Sequence, residues 1–336
     1  MGPYDGKSIW YLLSWVDPYE RAERLGNKEN IIKDLMNPNQ KKEIAKICGP
    51  QTRFGEPLSA FTTYRIGGPA DAICPVSDAE TLRTLLQFLN RIGLPVYVIG
   101  RGSNLLVQDE GVRGCVILLR GSLAHVAEDT ENSNLLKAGS GLDLTELLNF
   151  CKQKGRAGLE FLAGIPGTLG GAIVMNAGAW GSFIGDQVRE VLLLECGGMK
   201  RQVSAAELKF SYRYTAIPPG AIVAEVVLET TPGDPVKIGE QIKEILLKRK
   251  AKQPLEQPSA GSVFKNPSGF YAGQLIEEAG LKGSRIGDAL VSPKHANFIV
   301  NAGQATAKDV LALIALIQER VWTTRGIRLE PEIKVI

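Results

Sequence analysis

Glycine is concentrated in one segment of the chain, residues 158–181, which reads GLEFLAGIPGTLGGAIVMNAGAWG. Seven of its 24 residues are glycine, whereas glycine averages about 7% of residues in proteins. Most of its other residues are apolar, which is not typical of a flexible linker. Dense glycine among apolar residues indicates a buried backbone that a ligand or a second chain segment approaches closely. A large, flat cofactor that carries phosphate groups would fit such a backbone.

Two further glycine-containing loops could bind phosphate groups, IGRGSNLL at residues 99–106 and TTYRIGGPAD at residues 62–71. The first lacks the lysine and hydroxyl of a Walker-type loop, and it lacks the third glycine and following helix of a Rossmann fingerprint. What remains is a turn whose backbone N–H groups, from Arg101 to Asn104, could bind a pyrophosphate. An ordinary tight turn explains this loop equally well. The second loop adds paired glycines, two threonine hydroxyls and Arg65, and several such loops on one domain favour anion binding.

Regular secondary structure is predicted on both sides of these loops. Asp78 is a typical N-cap for a helix that Gly93 ends, and Asp143 is a typical cap for a second helix. Longer helices are predicted over residues 236–254 and 307–326. Strands are predicted at residues 71–76, 95–100, 105–109, 115–121, 188–196 and 222–230.

The domain boundary is predicted at a Pro/Gly cluster, Thr231 to Pro235. We therefore expect an N-terminal extension of unknown role over residues 1–50, a cofactor-binding domain over 51–232 and a C-terminal domain over 233–336. The extension contains one short amphipathic helix, residues 39–47. An upstream misassigned start, with Met36 as the true first residue, is an equal alternative to a docking arm.

Composition excludes several functional classes. The 336 residues are 44% hydrophobic, and 39 basic against 36 acidic residues give a net charge of +3, so no basic stripe predicts nucleic-acid binding. Five widely spaced cysteines indicate free thiols rather than a disulfide framework or zinc site, and two histidines supply little metal chemistry. No segment resembles a membrane span or signal peptide, which favours a soluble, cytoplasmic protein.

Together the three loops resemble the flavin domain of the UDP-N-acetylenolpyruvoylglucosamine reductases, the MurB family. The resemblance runs from about Phe54 to Ile336 and includes the motifs FSYRYT at residues 210–215, AGSVFKNP at 260–267, KHANFIVN at 294–301 and the terminal LEPEIKVI. GIPGTLGGA and GSVFKNP are its most specific parts. The N-terminal extension departs from the family pattern. The short segment between Arg213 and Lys250 resembles the branch that lacks an extra substrate-covering loop.

The resemblance implies an α+β fold with a two-subdomain FAD-binding domain of the PCMH/vanillyl-alcohol-oxidase type and a C-terminal α/β substrate-binding domain. It implies non-covalent FAD, NADPH as reductant, and reduction of UDP-N-acetylglucosamine enolpyruvate to UDP-N-acetylmuramate for peptidoglycan synthesis. The residues matched to FAD binding are Thr63, Arg65, Gly67, Gly100, Arg101, Gly102, Ser103, Asn104, Leu105, Gly164, Ile165, Pro166, Gly167, Gly170, Gly171, Asn176, Ala177 and Gly178.

By the same resemblance, Arg213 and Glu332 polarise the substrate carboxylate and Ser262 donates the proton. Substrate contacts are matched to Tyr212, Lys250, Lys265, Asn266 and Lys334. Each assignment has an ordinary structural alternative: Arg213 could stack on a neighbouring tyrosine, and Ser262 could cap a turn. Choosing Glu332 over Glu330 depends on motif alignment alone.

Two other functions stay open. One is another FAD-linked sugar or alcohol oxidoreductase of the same domain class, and the other is a non-catalytic regulator that binds a nucleotide sugar or flavin. The sequence predicts a monomer or weak oligomer and does not decide between NADPH and NADH.

Overall fold

The computed structural model describes residues 36–336 and divides the chain into two compact units. The described part of the first unit comprises residues 36–55, 70–100 and 113–242, and the second comprises residues 56–69, 101–112 and 243–336. Neither unit is a continuous stretch of chain, because two short segments belong to the same unit as the C-terminal residues. This division describes packing rather than binding domains, so the boundary between residues 232 and 233 stays a prediction. Most of the N-terminal extension lies outside the described residues.

The first helix in the described part of the first unit is α1, Pro38–Cys48, which confirms the short helix predicted there. Its other helices are α2 (Ala79–Ile92), α3 (Leu144–Lys154) and α4 (Leu169–Val174). Its strands are β1 (Ala70–Val76), β2 (Val96–Val98), β4 (Val112–Leu119), β5 (Val126–Glu128), β6 (Leu135–Gly139), β7 (Arg156–Ala157), β8 (Gly178–Ala179), β9 (Ser182–Phe183), β10 (Val188–Leu194), β11 (Lys200–Ser204), β12 (Ile222–Glu229) and β13 (Thr231–Pro232). Strand β4 starts one residue before this unit's 113–242 segment.

Helix α2 illustrates how local sequence sets these elements. The Asp78 side chain accepts a hydrogen bond from Thr81 N at 2.8 Å, and Gly93 ends the helix with a left-handed φ of 64°. Its apolar face packs into a core with the sheet of order β1-β4-β2, in which β2 and β4 run parallel. The predicted caps at Asp78, Gly93 and Asp143 are confirmed.

A five-stranded sheet of order β11-β10-β12-β6-β5 forms the rest of the first unit's scaffold. Its neighbouring strands pair antiparallel, and β10 pairs with β12 through two register shifts. Helix α4 contacts β12 and β6 in this sheet. The sheet therefore packs against the helix of the glycine-rich segment.

The second unit has a separate hydrophobic core, which includes Tyr64, Leu106 and Phe264. Its strands are β3 (Leu105–Leu106), β14 (Ser259–Ser262), β15 (Arg285–Ile286), β16 (Ala289–Val291), β17 (Phe298–Asn301) and β18 (Lys334–Val335). Its helices are α6 (Ala272–Glu278) and α7 (Ala307–Arg325), and α5 (Pro235–Lys252) precedes them in the chain. The sheet order is β14-β17-β16-β15, and β18 pairs in parallel with β3.

These elements confirm the predicted α+β class. The strand predicted at residues 105–109 is shorter than expected, because only Leu105 and Leu106 pair, with β18. All five cysteines are free thiols, as predicted. Within residues 36–336, no helix combines the length and the apolar character that a membrane span needs.

Candidate functional site

The glycine-rich segment of the first unit is held by close backbone contacts. Gly170 N donates to Ser140 O at 2.7 Å, and a Cβ on Gly170 would lie 2.8 Å from Ser140 Cβ. A Cβ on Gly100 would lie 2.3 Å from Thr168 Oγ1, directly before helix α4. A side chain at either glycine would push these segments apart. Close approach of a second chain segment therefore explains these two glycines, and it is one of the two explanations, a ligand or a second segment, that the glycine density predicts.

Glu160 adds an acceptor to this segment that the sequence analysis did not identify. Its Oε2 accepts a hydrogen bond from Gly158 N at 2.9 Å, whereas its Oε1 is buried without a partner in residues 36–336. A buried acceptor that lacks a partner costs free energy unless a ligand or water satisfies it. Together with the exposed backbone of a glycine-rich turn, this acceptor fits a cofactor such as FAD, which carries both N–H donors and phosphate groups. A signal for it existed, since a lone acidic residue follows Gly158 in an otherwise apolar run.

In the second unit, the two other predicted loops meet backbone to backbone. A Cβ on Gly102 would lie 2.8 Å from Thr62 Cα, and one on Gly68 would lie 2.1 Å from the carbonyl oxygen of Asp109, shortly after the loop IGRGSNLL. Arg65 is exposed and adopts a positive φ of 55°, which is unusual for a residue other than glycine. The spacing of TTYRIGGPAD and IGRGSNLL thus reflects mutual packing of the two loops as well as any contact with phosphate.

A cavity of about 300 Å³ lies beside the loop TTYRIGGPAD. It is lined by residues 65–68 and 303–306 together with Asp109 and Asn301. The Asp109 carboxylate accepts hydrogen bonds from Ala307 N at 2.8 Å and Lys308 N at 3.2 Å, so it caps helix α7. The predicted residues Arg65 and Gly67 therefore share a concave surface within the second unit.

The C-terminal strand brings further predicted residues beside the loop at Asn104. Asn104 Nδ2 donates to Glu332 O at 3.2 Å, and Lys334 N donates to Asn104 O at 2.9 Å. These bonds continue the parallel pairing of β18 with β3. One predicted cofactor loop and the predicted catalytic Glu332 are thus neighbours in space, although the sequence separates them widely.

Ser262 lies at the end of β14, directly after an irregularity in the strand. Gly261 has a φ of 75°, and the register of β14 against β17 shifts between Ser259 and Ser262. Such bulges turn side chains away from the regular pleat, and they are frequent beside active sites. Asn297 fixes the following residues, since its Oδ1 accepts from Phe264 N at 2.9 Å and its Nδ2 donates to Phe264 O at 2.8 Å.

The segment after Ser262 pairs with the segment that carries Glu332. Glu332 N donates to Val263 O at 2.7 Å, and Lys265 N donates to Glu330 O at 2.9 Å. The backbones of the predicted proton donor and the predicted carboxylate therefore lie on adjacent chain segments. Asn297, which supports this arrangement, lies in the KHANFIVN motif, but sequence reasoning gave it no role.

Charged side chains cluster at this pairing. Lys265 Nζ lies 2.5 Å from Glu330 Oε1, so the Glu330 carboxylate is engaged in an ion pair. Burial lowers the pKa of the Lys334 ammonium, and the positive charge of Lys265 lowers it further, while Glu330 and Glu332 oppose the shift. The choice of Glu332 rather than Glu330 as the reacting carboxylate stays a prediction.

Asn266 and Lys250, two predicted substrate contacts, have different surroundings. Asn266 Oδ1 accepts from Ala272 N at 3.0 Å at the start of α6. Lys250 is exposed in the last turn of α5, where its carbonyl accepts from Lys294 Nζ at 2.7 Å. The amide of Asn266 therefore has a structural role in addition to any substrate contact.

Arg213 lies in the first unit, in a tight turn of the FSYRYT motif. Ser211 N donates to Tyr214 O at 2.9 Å and Tyr214 N donates to Ser211 O at 3.1 Å, so Tyr212 and Arg213 form a two-residue loop. The guanidinium of Arg213 lies 5.3 Å from the centre of the Tyr212 ring, which confirms the predicted stacking. Arg213 nevertheless has a φ of 56°, a conformation that favours glycine. A strained arginine where glycine would fit better suggests a function for the side chain.

The predicted site residues are distributed over both units. The first unit contains Gly100, Gly164, Ile165, Pro166, Gly167, Gly170, Gly171, Asn176, Ala177, Gly178, Tyr212 and Arg213. The second unit contains Thr63, Arg65, Gly67, Arg101, Gly102, Ser103, Asn104, Leu105, Lys250, Ser262, Lys265, Asn266, Glu332 and Lys334. Within the second unit, the structure brings the Ser262 segment, the Glu332 segment and the Asn104 loop together. The roles of all these residues stay predictions. Across residues 36–336, no cluster of three metal-ligating side chains is present.

Comparison with known proteins assigns the class first. Residues 70–204 match the model of an FAD-binding domain, so the chain contains a flavin-binding domain of that class. Residues 253–336 match the C-terminal domain of UDP-N-acetylenolpyruvoylglucosamine reductase.

Similar proteins then assign the family. UDP-N-acetylenolpyruvoylglucosamine reductase 2 of Symbiobacterium thermophilum is 47% identical over 302 residues, which cover 89% of this chain and 97% of the relative. The Moorella thermoacetica reductase is 46% identical over 285 residues, 85% of this chain and 93% of the relative. The crystal structure of the Thermus caldophilus reductase superposes with a TM-score of 0.73 at 39% identity, covering 85% of this chain and 98% of that one. The chain belongs to the UDP-N-acetylenolpyruvoylglucosamine reductase family.

Proposed function

We propose that this chain is an enzyme that reduces UDP-N-acetylglucosamine enolpyruvate to UDP-N-acetylmuramate, with FAD as cofactor and NADPH as reductant. The observation that carries the proposal is the pairing of the Ser262 and Glu332 segments through the 2.7 Å hydrogen bond from Glu332 N to Val263 O. This pairing places the backbone segment that carries the Ser262 hydroxyl beside the segment that carries the Glu332 carboxylate, in a chain that belongs to the reductase family. Regulators that only bind a nucleotide sugar have no need of that pair.

The substrate sets the demands on these residues. An enol ether accepts a hydride poorly until its conjugated carboxylate is polarised, and hydride addition at the methylene carbon leaves negative charge that needs stabilisation. FAD, when bound, supplies that hydride. We assign to the guanidinium of Arg213 the polarisation of the substrate carboxylate. The same role is matched to Glu332 by the family resemblance alone. The Ser262 hydroxyl gives its proton to the other carbon of the former double bond.

Serine is a weak acid, so its surroundings must favour loss of the proton. Lys265 and Lys334 lie in the segments around Ser262 and Glu332, and each ammonium lowers the free energy of a nearby alkoxide. Lys265 follows Ser262 closely in the chain, and its backbone N bonds to the Glu330 carbonyl. We assign these lysines and Asn266 to the substrate site, together with Lys250 for the nucleotide diphosphate, where an exposed ammonium suits a point contact.

The glycine-rich segment of the first unit would hold the FAD through backbone N–H groups, and the loop from Arg101 to Asn104 is assigned to the same cofactor by the family resemblance alone. We propose non-covalent attachment, as the sequence predicts, together with a cytoplasmic location and a monomeric or weakly associated state. Acid denaturation should release the FAD from the polypeptide, and sedimentation of the holoprotein should give the mass of one chain at low concentration. Flavin that stays on the denatured chain would contradict non-covalent attachment.

Turnover of the purified holoprotein tests the proposal. We expect NADPH oxidation that depends on UDP-N-acetylglucosamine enolpyruvate, with UDP-N-acetylmuramate identified by mass spectrometry. UDP-N-acetylglucosamine, which lacks the enolpyruvyl group, is the control and should give no product. A holoprotein that oxidises NADPH equally with either compound would contradict the proposal, and NADH in the same assay decides the choice of reductant.

A further inference from the structure

Two buried side chains attach the turn of Arg213 to helix α4. Asn176 Nδ2 donates to Ser211 O at 2.9 Å, and Thr215 Oγ1 donates to Ile173 O at 2.6 Å. Asn176 is 5% exposed and Thr215 is 2% exposed. The two bonds enclose the turn, because Ser211 is its first residue and Thr215 follows its last.

Asn176 also connects the turn to a third segment. Its Oδ1 accepts a hydrogen bond from Gly185 N at 3.0 Å, so one carboxamide joins the end of α4, the Ser211 carbonyl and residue 185. Its backbone has a φ of 41°, a left-handed conformation that asparagine tolerates better than most residues. The side chain of Asn176 therefore binds protein backbone. Only the main chain of Asn176 is left to contact a cofactor at the glycine-rich segment.

The turn needs such support because its own backbone does not favour the observed geometry. Arg213 is held at a φ of 56° by the two hydrogen bonds between Ser211 and Tyr214. A strained residue keeps its conformation only where its surroundings fix it. Loss of either side-chain bond to the turn would let Arg213 relax and would move its guanidinium.

We infer that Asn176 and Thr215 are positioning residues that fix the guanidinium of Arg213 relative to helix α4. The inference rests on the proposed function for the catalytic role of Arg213, and it assigns to Asn176 a role other than direct contact with the cofactor. It also implies that the turn of Arg213 is attached to the predicted FAD-binding segment, because helix α4 lies within that segment.

Four variants of the FAD-loaded full chain separate positioning from stability. Thr215→Val removes the hydroxyl and keeps the shape, and Thr215→Ser restores the hydroxyl. Asn176→Asp keeps the acceptor for Gly185 N but removes the donor to Ser211 O. Thr230→Val is the matched control, because Thr230 is also 2% exposed and its Oγ1 also donates to a backbone carbonyl, that of Asn134 at 2.8 Å.

The first readout is turnover. A displacement of about 1 Å at a catalytic group can lower a rate by about 100-fold, so we expect kcat to fall by about 10- to 100-fold in Thr215→Val and Asn176→Asp. The content of FAD per chain should stay that of the wild type. Thr215→Ser should recover most of kcat, and Thr230→Val should keep it while melting at a temperature similar to that of Thr215→Val.

The second readout is trypsin cleavage after Arg213, which needs local opening of the turn and does not depend on any activity. We expect fragments 1–213 and 214–336 to form at least about fivefold faster in Thr215→Val and Asn176→Asp, since loss of one typical hydrogen bond raises an open population by about that factor. Thr230→Val should cleave there at the wild-type rate.

The inference is overturned if Thr215→Val and Thr230→Val match in kcat and in cleavage after Arg213, or if Asn176→Asp loses FAD before it loses turnover. If the wild type gives no substrate-dependent turnover, the proposed function fails. The cleavage measurement then still decides whether the two side chains hold the turn.

Discussion

Replacement of Arg213 by glycine should separate stability from activity. A left-handed conformation costs a residue with a Cβ about 1–2 kcal/mol, and Arg213 has a φ of 56°. Glycine removes this cost but adds about 0.4–1 kcal/mol of backbone entropy to the unfolded chain. The difference leaves Arg213→Gly more stable than Arg213→Ala by about 0.5–1 kcal/mol. Both variants lose the stacking on Tyr212, which is worth about 0.5–1 kcal/mol at an exposed site.

The wild type, Arg213→Gly and Arg213→Ala should therefore fall in a defined order of stability. The gain and the loss nearly cancel in Arg213→Gly, so its free energy of unfolding should stay close to the wild-type value, while Arg213→Ala should fall below both. In domains of 150–250 residues, 1 kcal/mol corresponds to about 2–4 °C in Tm, so the two variants should differ by about 2 °C. Turnover should fall in both by about 100-fold or more, the usual loss when one group that stabilises developing charge is removed.

Calorimetry of the FAD-loaded proteins at one protein concentration measures the stability, and substrate-dependent NADPH oxidation measures the activity. Arg213→Lys is the control, because it keeps both the charge and the Cβ, and it should retain part of the turnover without any gain in Tm. If Arg213→Ala melts at or above Arg213→Gly, the argument from backbone strain is wrong. If Arg213→Gly retains wild-type turnover, Arg213 does not polarise the substrate.

Three further substitutions test other parts of the structure. Ser262→Ala should lower turnover by about 100- to 10,000-fold, the range of general acid catalysis, with FAD content unchanged, and Ser262→Cys should recover part of it; an active Ser262→Ala would exclude this residue as the acid. Gly102→Ala should melt well below Gly181→Ala and lose FAD, because the new Cβ at residue 102 would lie 2.5 Å from a carbonyl oxygen. A Cβ at residue 181 has open space, so Gly181→Ala is destabilised only by its positive φ. Equal melting temperatures would refute the packing argument. Burial lowers the pKa of His295 in the folded protein. As the pH drops through the ordinary titration range of histidine, the unfolded chain therefore takes up a proton at His295 before the folded chain does, and the free energy of unfolding falls. His295→Asn should therefore flatten the dependence of Tm on pH between about 5 and 8. An unchanged slope in this variant would contradict the lowered pKa of His295.

The local signals in the sequence were sufficient for most of the regular elements. Helix α2 follows from Asp78, Gly93 and one apolar face, because caps and periodicity act between near neighbours in the chain. Helix α4 was not predicted, because two glycines within six residues oppose a helix on propensity alone. Its contacts with β6 and β12 stabilise it, and these exist only in the folded unit.

The residues of the candidate site were likewise identified in the sequence, but their arrangement was not. The motifs around Ser262 and Glu332 pointed to the family, yet nothing local indicates that Glu332 N bonds to Val263 O. The sequence also does not indicate which cysteines lie close together. Cys74 and Cys115 are far apart in the chain, but their sulfurs lie 3.3 Å apart on neighbouring strands.

Sequence alone determined which side chains are available for chemistry and which short segments form helices and strands, since both depend on residues within a few positions of each other. Tertiary structure alone decided that Asn104 lies beside Glu332 and that Asn176 supports the turn of Arg213. It also decided the left-handed backbone of Arg213, which an isolated chain would avoid. Long-range hydrogen bonds and packing outweigh local preference at these positions, since a disfavoured local conformation persists where the surrounding structure fixes it.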